Sequence, residues 1–154
     1  MKVKVYWNVT KKLWSIMPSA GPHKNRVVGW AESVRLHNID FKVGDGGRKR
    51  VIREGRKNVH AFAEGELIGV AGVEWKDKPH ALTLSLLKPT GNGAAMVTYD
   101  PYKNDTFVSE GREVRWASWA VFDKGKVYAR WVEPYHPSLL LENDSVGIDD
   151  YYTH

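Results

Sequence analysis

The 154-residue chain has no cysteine. Disulfides and thiolate metal sites are therefore excluded, and an intracellular setting is the expectation. Nor is there a run approaching the ~18 apolar residues of a membrane helix. The opening "MKVKVYWNV" alternates like a strand and lacks the apolar centre of a signal peptide. Cations are missing from one end: every Lys and Arg lies at or before Arg130. Beyond it stand Glu133, Glu142, Asp144, Asp149 and Asp150, so the net charge of +5 hides a body, residues 1–130, at +10. A body that basic attracts polyanions.

What is present is mostly β-patterned. The chain has the length of one domain able to bury a core without staples, and seven Trp with seven Tyr supply the large side chains. Those aromatics serve packing first, although a basic, Trp-rich surface also suits nucleic acid. Two parts of the sequence read alike. "YWNVTKKLWSI" (6–16) matches "YDPYKNDTFVS" (99–109), equating Tyr6 with Tyr99 and Trp14 with Phe107. "RVVGWAESVRLHNIDFKV" (26–43) matches "REVRWASWAVFDKGKVYA" (112–129) without a gap, equating Trp30 with Trp116 and Leu36 with Phe122. Each copy reads as a three-stranded meander whose long stretch alternates, as in Val28, Trp30, Val34 and Leu36. "HNID" and "DKGK" are both compact turn sequences, which predicts a hairpin in each copy.

The expected fold is therefore mostly β, in the α+β class. It is a duplicated antiparallel β-meander forming a sheet or barrel-like domain, with one short basic helix. A single domain spans 1–154, with copy one at 3–43, an inserted helix–strand segment at 44–92, copy two at 97–131 and an acidic tail at 132–154. After Gly44, residues 47–57 predict the helix, with Val51 and Ile52 facing inward. "NVHAFAEGELIGVAGVEW" resumes strand patterning, "KPHALTLSLLKP" predicts a further strand, and "TGNGAA" a loop.

Chemistry-bearing residues are few. Arg48, Lys49, Arg50, Arg53, Arg56 and Lys57 fall within ten residues with only Glu54 opposing them. On a helix, Lys49, Arg53, Arg56 and Lys57 share a face, a row able to contact successive phosphates. The plain alternatives are a solvated helix face or a surface for an acidic protein. Lys11 and Lys12, with Lys103, stand in the matched turns and are secondary contact candidates. His60 and Glu64, four apart in "HAFAE", share a strand face with Phe62, and His80 follows in "KPHAL". Two His beside a Lys are a donor set for acid–base cleavage of RNA, but a hydrogen-bonded His on a strand is the ordinary case. No nucleotide-binding glycine loop, metal-ligand set or nucleophilic triad is legible, and no cofactor is expected. The acidic tail, tethered to a basic body, would compete with weak non-specific partners for the basic face.

The segments "GRKRVIREGRKNVHAFAEGEL" and "YDPYKNDTFVSEGREVRWASWAVF" together resemble a group of uncharacterised small proteins of tailed bacteriophages. There an Arg-rich G-R-x-R-V precedes K-N-V-H-A-F, and a Y-x-P-Y-K turn follows downstream. The resemblance covers about residues 3–130 and brings no catalytic or binding residue with it. It implies a phage origin and action in the cytoplasm of the infected host, with virion association as the other setting. Accessory proteins of this kind often bind host machinery. The expected function is thus a non-catalytic phage accessory protein that binds a polyanion, nucleic acid first, through the basic helix. The alternatives are a protein-binding inhibitor of a host enzyme or defence system, and a small metal-independent nuclease using His60 or His80.

Overall fold

The computed structural model describes residues 1–55, 61–76 and 94–131. The predicted strand of 78–89, the acidic tail, His60, His80, Arg56 and Lys57 lie outside those residues. Seven strands form one antiparallel sheet: β1 (Lys2–Asn8), β2 (Leu13–Pro18), β3 (Gly29–Val43), β4 (Ala61–Trp75), β5 (Ala95–Val97), β8 (Trp116–Asp123) and β9 (Lys126–Arg130). Their order is β2-β1-β4-β3-β8-β9-β5. A further pairing of Trp14–Ile16 with Gly29–Ala31 joins β2 to β3 and closes β2, β1, β4 and β3 into a ring. β6 (Phe107–Ser109) and β7 (Arg112–Val114) make a separate small hairpin, and the helix α1 runs from Asp45 to Glu54. The mostly-β fold with one short helix is as the sequence predicts.

One face of the sheet carries the core: Val3 and Val5, Trp14 and Ile16, Val34 and Leu36, Val70, Phe122, Val127 and Ala129. Alternation places Val34 and Leu36 on this face, but before them the core residue is Ala31 and not the expected Trp30, and after Leu36 the phase changes again. Ile39 and Phe41 are buried, with odd numbers where Val34 and Leu36 had even ones. The cause is Asn38, at φ 51, inserted between His37 and Ile39 where the β3–β4 register shifts. An extra residue in left-handed conformation is a β-bulge, which bends and twists a strand and helps a sheet curl towards closure.

This corrects the hairpin expected at "HNID", because β3 runs straight through it. The matched position in copy two does turn. Lys124, which the sequence match equates with Asn38, has φ 48, and Gly125 follows at φ 84, so β8 and β9 join through two consecutive left-handed residues. Copy one has Ile39 where copy two has Gly125. A β-branched residue is sterically barred from φ above zero, so a single left-handed residue yields a bulge and not a turn.

The register between β3 and β8 has the symmetry that duplication around a twofold axis requires. Val34 pairs with Phe122 and Leu36 with Ala120, while the sequence match equates Val34 with Ala120 and Leu36 with Phe122. Exchanging the copies leaves these pairings unchanged, with the axis at Arg35 and Val121.

The bulge leaves little room across the strand pair. A Cβ added at Gly65 would meet the His37 carbonyl oxygen at 2.8 Å and that of Asn38 at 3.3 Å. Both are backbone atoms and cannot swing away. Gly65→Ala is expected to destabilise the protein by about 1–3 kcal/mol in urea unfolding. Gly46→Ala, on α1 with nothing within 4 Å, is expected to gain up to ~1 kcal/mol.

Candidate functional site

α1 begins after Gly44 and ends where Gly55 adopts φ 65 and its N–H bonds the Val51 carbonyl. Its end is therefore earlier than the predicted residue 57. Val51 is its buried anchor, while Ile52 is exposed, which corrects the expectation that both face inward. Adjacent helical residues diverge by 100°, so only one of the two can point at the body. The inward arc is taken instead by Arg48, three residues before Val51. Its Nε donates to the Asn104 carbonyl at 3.0 Å, and its guanidinium lies against the Tyr99 hydroxyl. Burial pushes the Tyr99 phenol up, against the opposing pull of Arg48. Arg48 thus fastens α1 to the body.

The remaining cations of the helix face outward. Lys49 is paired with Asp45 at 3.2 Å, Arg50 with Glu54 at 3.1 Å, and Arg53 stands 3.8 Å from the same Glu54. The side chains of Lys49 and Arg53 are 71% and 76% exposed. Pairs this exposed are worth at most ~1 kcal/mol, and a phosphate can displace the carboxylate from either cation. Of the predicted row, Lys49 and Arg53 face outward with Arg50 beside them, Arg56 and Lys57 lie outside the described residues, and Arg48, from the wider cationic set, is turned inward.

Beside α1 lies a cleft of about 910 Å3. Val51 and Gly55 form the helix side of it, Trp7 and Val9 the β1 side, and Met96 of β5 with Tyr99 and Tyr102 beyond that strand the third side. Two aromatic ladders reach down from its walls into the core. Trp7 meets Trp14 edge-on at 5.0 Å and Trp14 meets Phe122 at 5.2 Å; Tyr99 meets Phe107 at 5.3 Å and Phe107 meets Phe41 at 5.0 Å. Tyr102 is 63% exposed at the rim. Its turn is closed by Asp100, whose carboxylate accepts from the Tyr102 N–H at 2.9 Å and whose carbonyl accepts from Asn104 N–H at 2.8 Å. The two matched turns thus meet at one cleft, Val9 and Thr10 from the first and Pro101 and Tyr102 from the second. Lys11, Lys12 and Lys103 belong to these turns without lining it. Lys11 sits over the Trp30 ring, 4.0 Å from its centroid.

Glu64 is spent structurally. It is 8% exposed, accepts from the Ser19 hydroxyl at 2.8 Å and pairs with Lys42 at 3.0 Å. Burial would raise its pKa, but those two hydrogen bonds and the charges of Lys42 and Lys2 hold it below the usual carboxylate value. A carboxylate so held is a poor proton carrier near neutrality. On the sheet face opposite the core, Arg35 is 2% exposed and lies 5.3 Å from the Trp119 ring. Beside it, His37 is driven to about 3 by burial first and the Arg35 charge second. Ser33 donates to Asp123 on the same face. Sequence alternation assigned these residues to the side away from the core and could not indicate their burial. Among the described residues, no group of three His, Asp or Glu converges as a metal site, and no helix is long and apolar enough to cross a membrane.

A small strand-rich domain with one basic helix at a cleft defines a class by shape alone; the comparisons with known proteins supply the lineage. The family described as Mycobacterium phage L5 gene 82 protein matches residues 1–130, and this bacteriophage chain belongs to it. The Gene 82 protein of Mycobacterium phage L5 is 33% identical over 114 residues, which covers 70% of this chain and 77% of that protein. No solved structure matches. The family match ends at Arg130, where the cations also end.

Proposed function

We propose that this phage protein is a non-catalytic accessory protein that binds nucleic acid in the cytoplasm of the infected bacterium. The observation that carries this reading is the outward row Lys49, Arg50 and Arg53 on a helix whose other side walls an aromatic cleft. Phosphate contacts supply affinity, and aromatic surface beside them suits bases. Fluorescence anisotropy with labelled single-stranded DNA, duplex DNA and RNA, at about 50 and 200 mM salt, tests it. Lys49→Ala with Arg53→Ala is expected to weaken binding at least tenfold and to reduce the salt slope by about two. No binding to any of the three at low salt would end this reading.

A second reading, an inhibitor that docks on a host enzyme or defence protein, is favoured by one feature. Val9, Met96 and Tyr102 are exposed together along the cleft, and Ile52 is exposed on α1 beside it. The nuclease reading has no support from Glu64, whose ion pair occupies it.

A further inference from the structure

We propose that the cleft beside α1 receives an unpaired base, so that the protein selects single-stranded nucleic acid over duplex. This rests on the nucleic-acid reading above and names what the cleft itself would hold. The phosphate row alone cannot distinguish strands, because both single and double strands present phosphates. The cleft can. Its ~910 Å3 lies within the ~300–1,000 Å3 range of sites that enclose small organic groups. Its upper walls are aromatic, with Trp7 on one side and Tyr99 and Tyr102 on the other. A duplex keeps its base faces stacked inside the helix, whereas a single strand can turn a ring out onto such surfaces.

The occupant is chosen by charge as well as shape. Lys126 stands on the cleft wall, and the outward cations of α1 lie across the helix that forms another wall. Asp100, the acid among the described wall residues, has its carboxylate turned to the Tyr102 N–H. A ligand with an apolar planar group and an adjacent anion matches this arrangement, and a nucleotide unit within a strand is that ligand. An acidic host peptide would need carboxylates, and those would gain nothing from flat aromatic walls. Tyr102 is also held ready, because Asp100 closes the turn beneath it and leaves only the side-chain torsions to be ordered on binding.

The test compares three labelled ligands of about twelve nucleotides. These are a single strand, the same strand made abasic throughout, and the duplex. Wild type, Tyr102→Ala and Tyr102→Phe are measured on each, together with the Lys49→Ala, Arg53→Ala double variant. Wild type is expected to bind the single strand about tenfold more tightly than the abasic strand or the duplex. Tyr102→Ala is expected to lose that preference with no loss on the abasic strand, and Tyr102→Phe to keep it. Equal binding of abasic and base-bearing strands, abolished by the double variant, would overturn the cleft proposal while leaving the phosphate row standing. Failure of every ligand to bind wild type would overturn both. Tyr102 is a mostly exposed turn residue, so its replacement is not expected to disturb the fold, which unfolding in urea would verify.

Discussion

Between pH 6.5 and about 4 the protein is expected to lose several kcal/mol of stability, with His37 the largest source among the described residues. His37 lies on β3 beside Arg35, opposite Trp119 on β8 and Glu66 on β4, and Glu66 is engaged by the N-terminal ammonium at 3.2 Å. Burial and the Arg35 charge bring its pKa to about 3 in the fold, against 6.5 for an ordinary His. The unfolded chain therefore takes up a proton as pH falls through 6.5, and the folded chain does not until about 3. The unfolded state binds more protons across that window, so stability rises with pH through it and is fully present above 6.5. At 1.36 kcal/mol per pH unit, the span bounds the effect at ~5 kcal/mol, with relaxation of the site reducing it. Glu64 has the same sign in a lower window. Its folded pKa is depressed, so its contribution is present above the usual carboxylate value and disappears as pH falls below it. Urea unfolding at pH 7, 5.5 and 4.5 separates the two. His37→Gln, which cannot take the proton, is expected to flatten the profile over this range and leave a decline only at lower pH. A wild-type profile that is already flat from pH 7 to 4.5 would contradict the account.

The strands were legible because each rests on a local pattern. Alternation places Val34 and Leu36 in the core, and Lys124–Gly125 makes a two-residue turn by its own chemistry. The bulge at Asn38 was legible in principle too. The shift of buried positions from even to odd between Leu36 and Ile39 is its signature, but a turn sequence at the same place offers a competing explanation. What decided the outcome was Ile39, whose branched side chain bars the second left-handed residue. Ile52 was misassigned for a similar reason: the apolar pair Val51–Ile52 looks like an inward face, yet a helix can turn only one of two neighbours inward. Arg48 took the remaining place because the Asn104 carbonyl and Tyr99 were waiting across the cleft, and those lie more than fifty residues away. The cleft was not legible at all. Among the described residues its walls come from 5–14, 51–55, 61–63, 96–107 and 122–127, and no short-range pattern reports which turns will converge. The cationic row survives in part, since outward-facing charge is a helix-local property, while its pairing with Asp45 and Glu54 depends on rotamers that spacing only permits.

Phe122→Ala is expected to be the most destabilising of the core truncations, by about 3–5 kcal/mol. Phe122 is 1% exposed, the largest fully buried side chain among the described residues, and the end of the ladder that runs from Trp7 through Trp14. It also stands on β8 opposite Val34, at the seam where the two meanders meet. Removing the ring forfeits its burial and the edge-on contact with Trp14, and leaves a void beneath the cleft, which Phe122 also lines. How far the void can relax sets the place within the range. β3 and β8 are tied by backbone pairing on both sides of Phe122 and cannot close over it, whereas Trp14 can settle downward only by drawing Trp7 away from Gly125, where a Cβ would already stand 3.2 Å from the ring. Collapse by that route would deepen the cleft mouth. The prediction therefore has two readouts: a lower urea midpoint with an unchanged slope, and altered binding of the single strand relative to Phe122→Leu, which refills most of the volume. A loss under ~1.5 kcal/mol, the size of a volume-conserving swap, would mean that Phe122 does not join the two meanders as the register indicates.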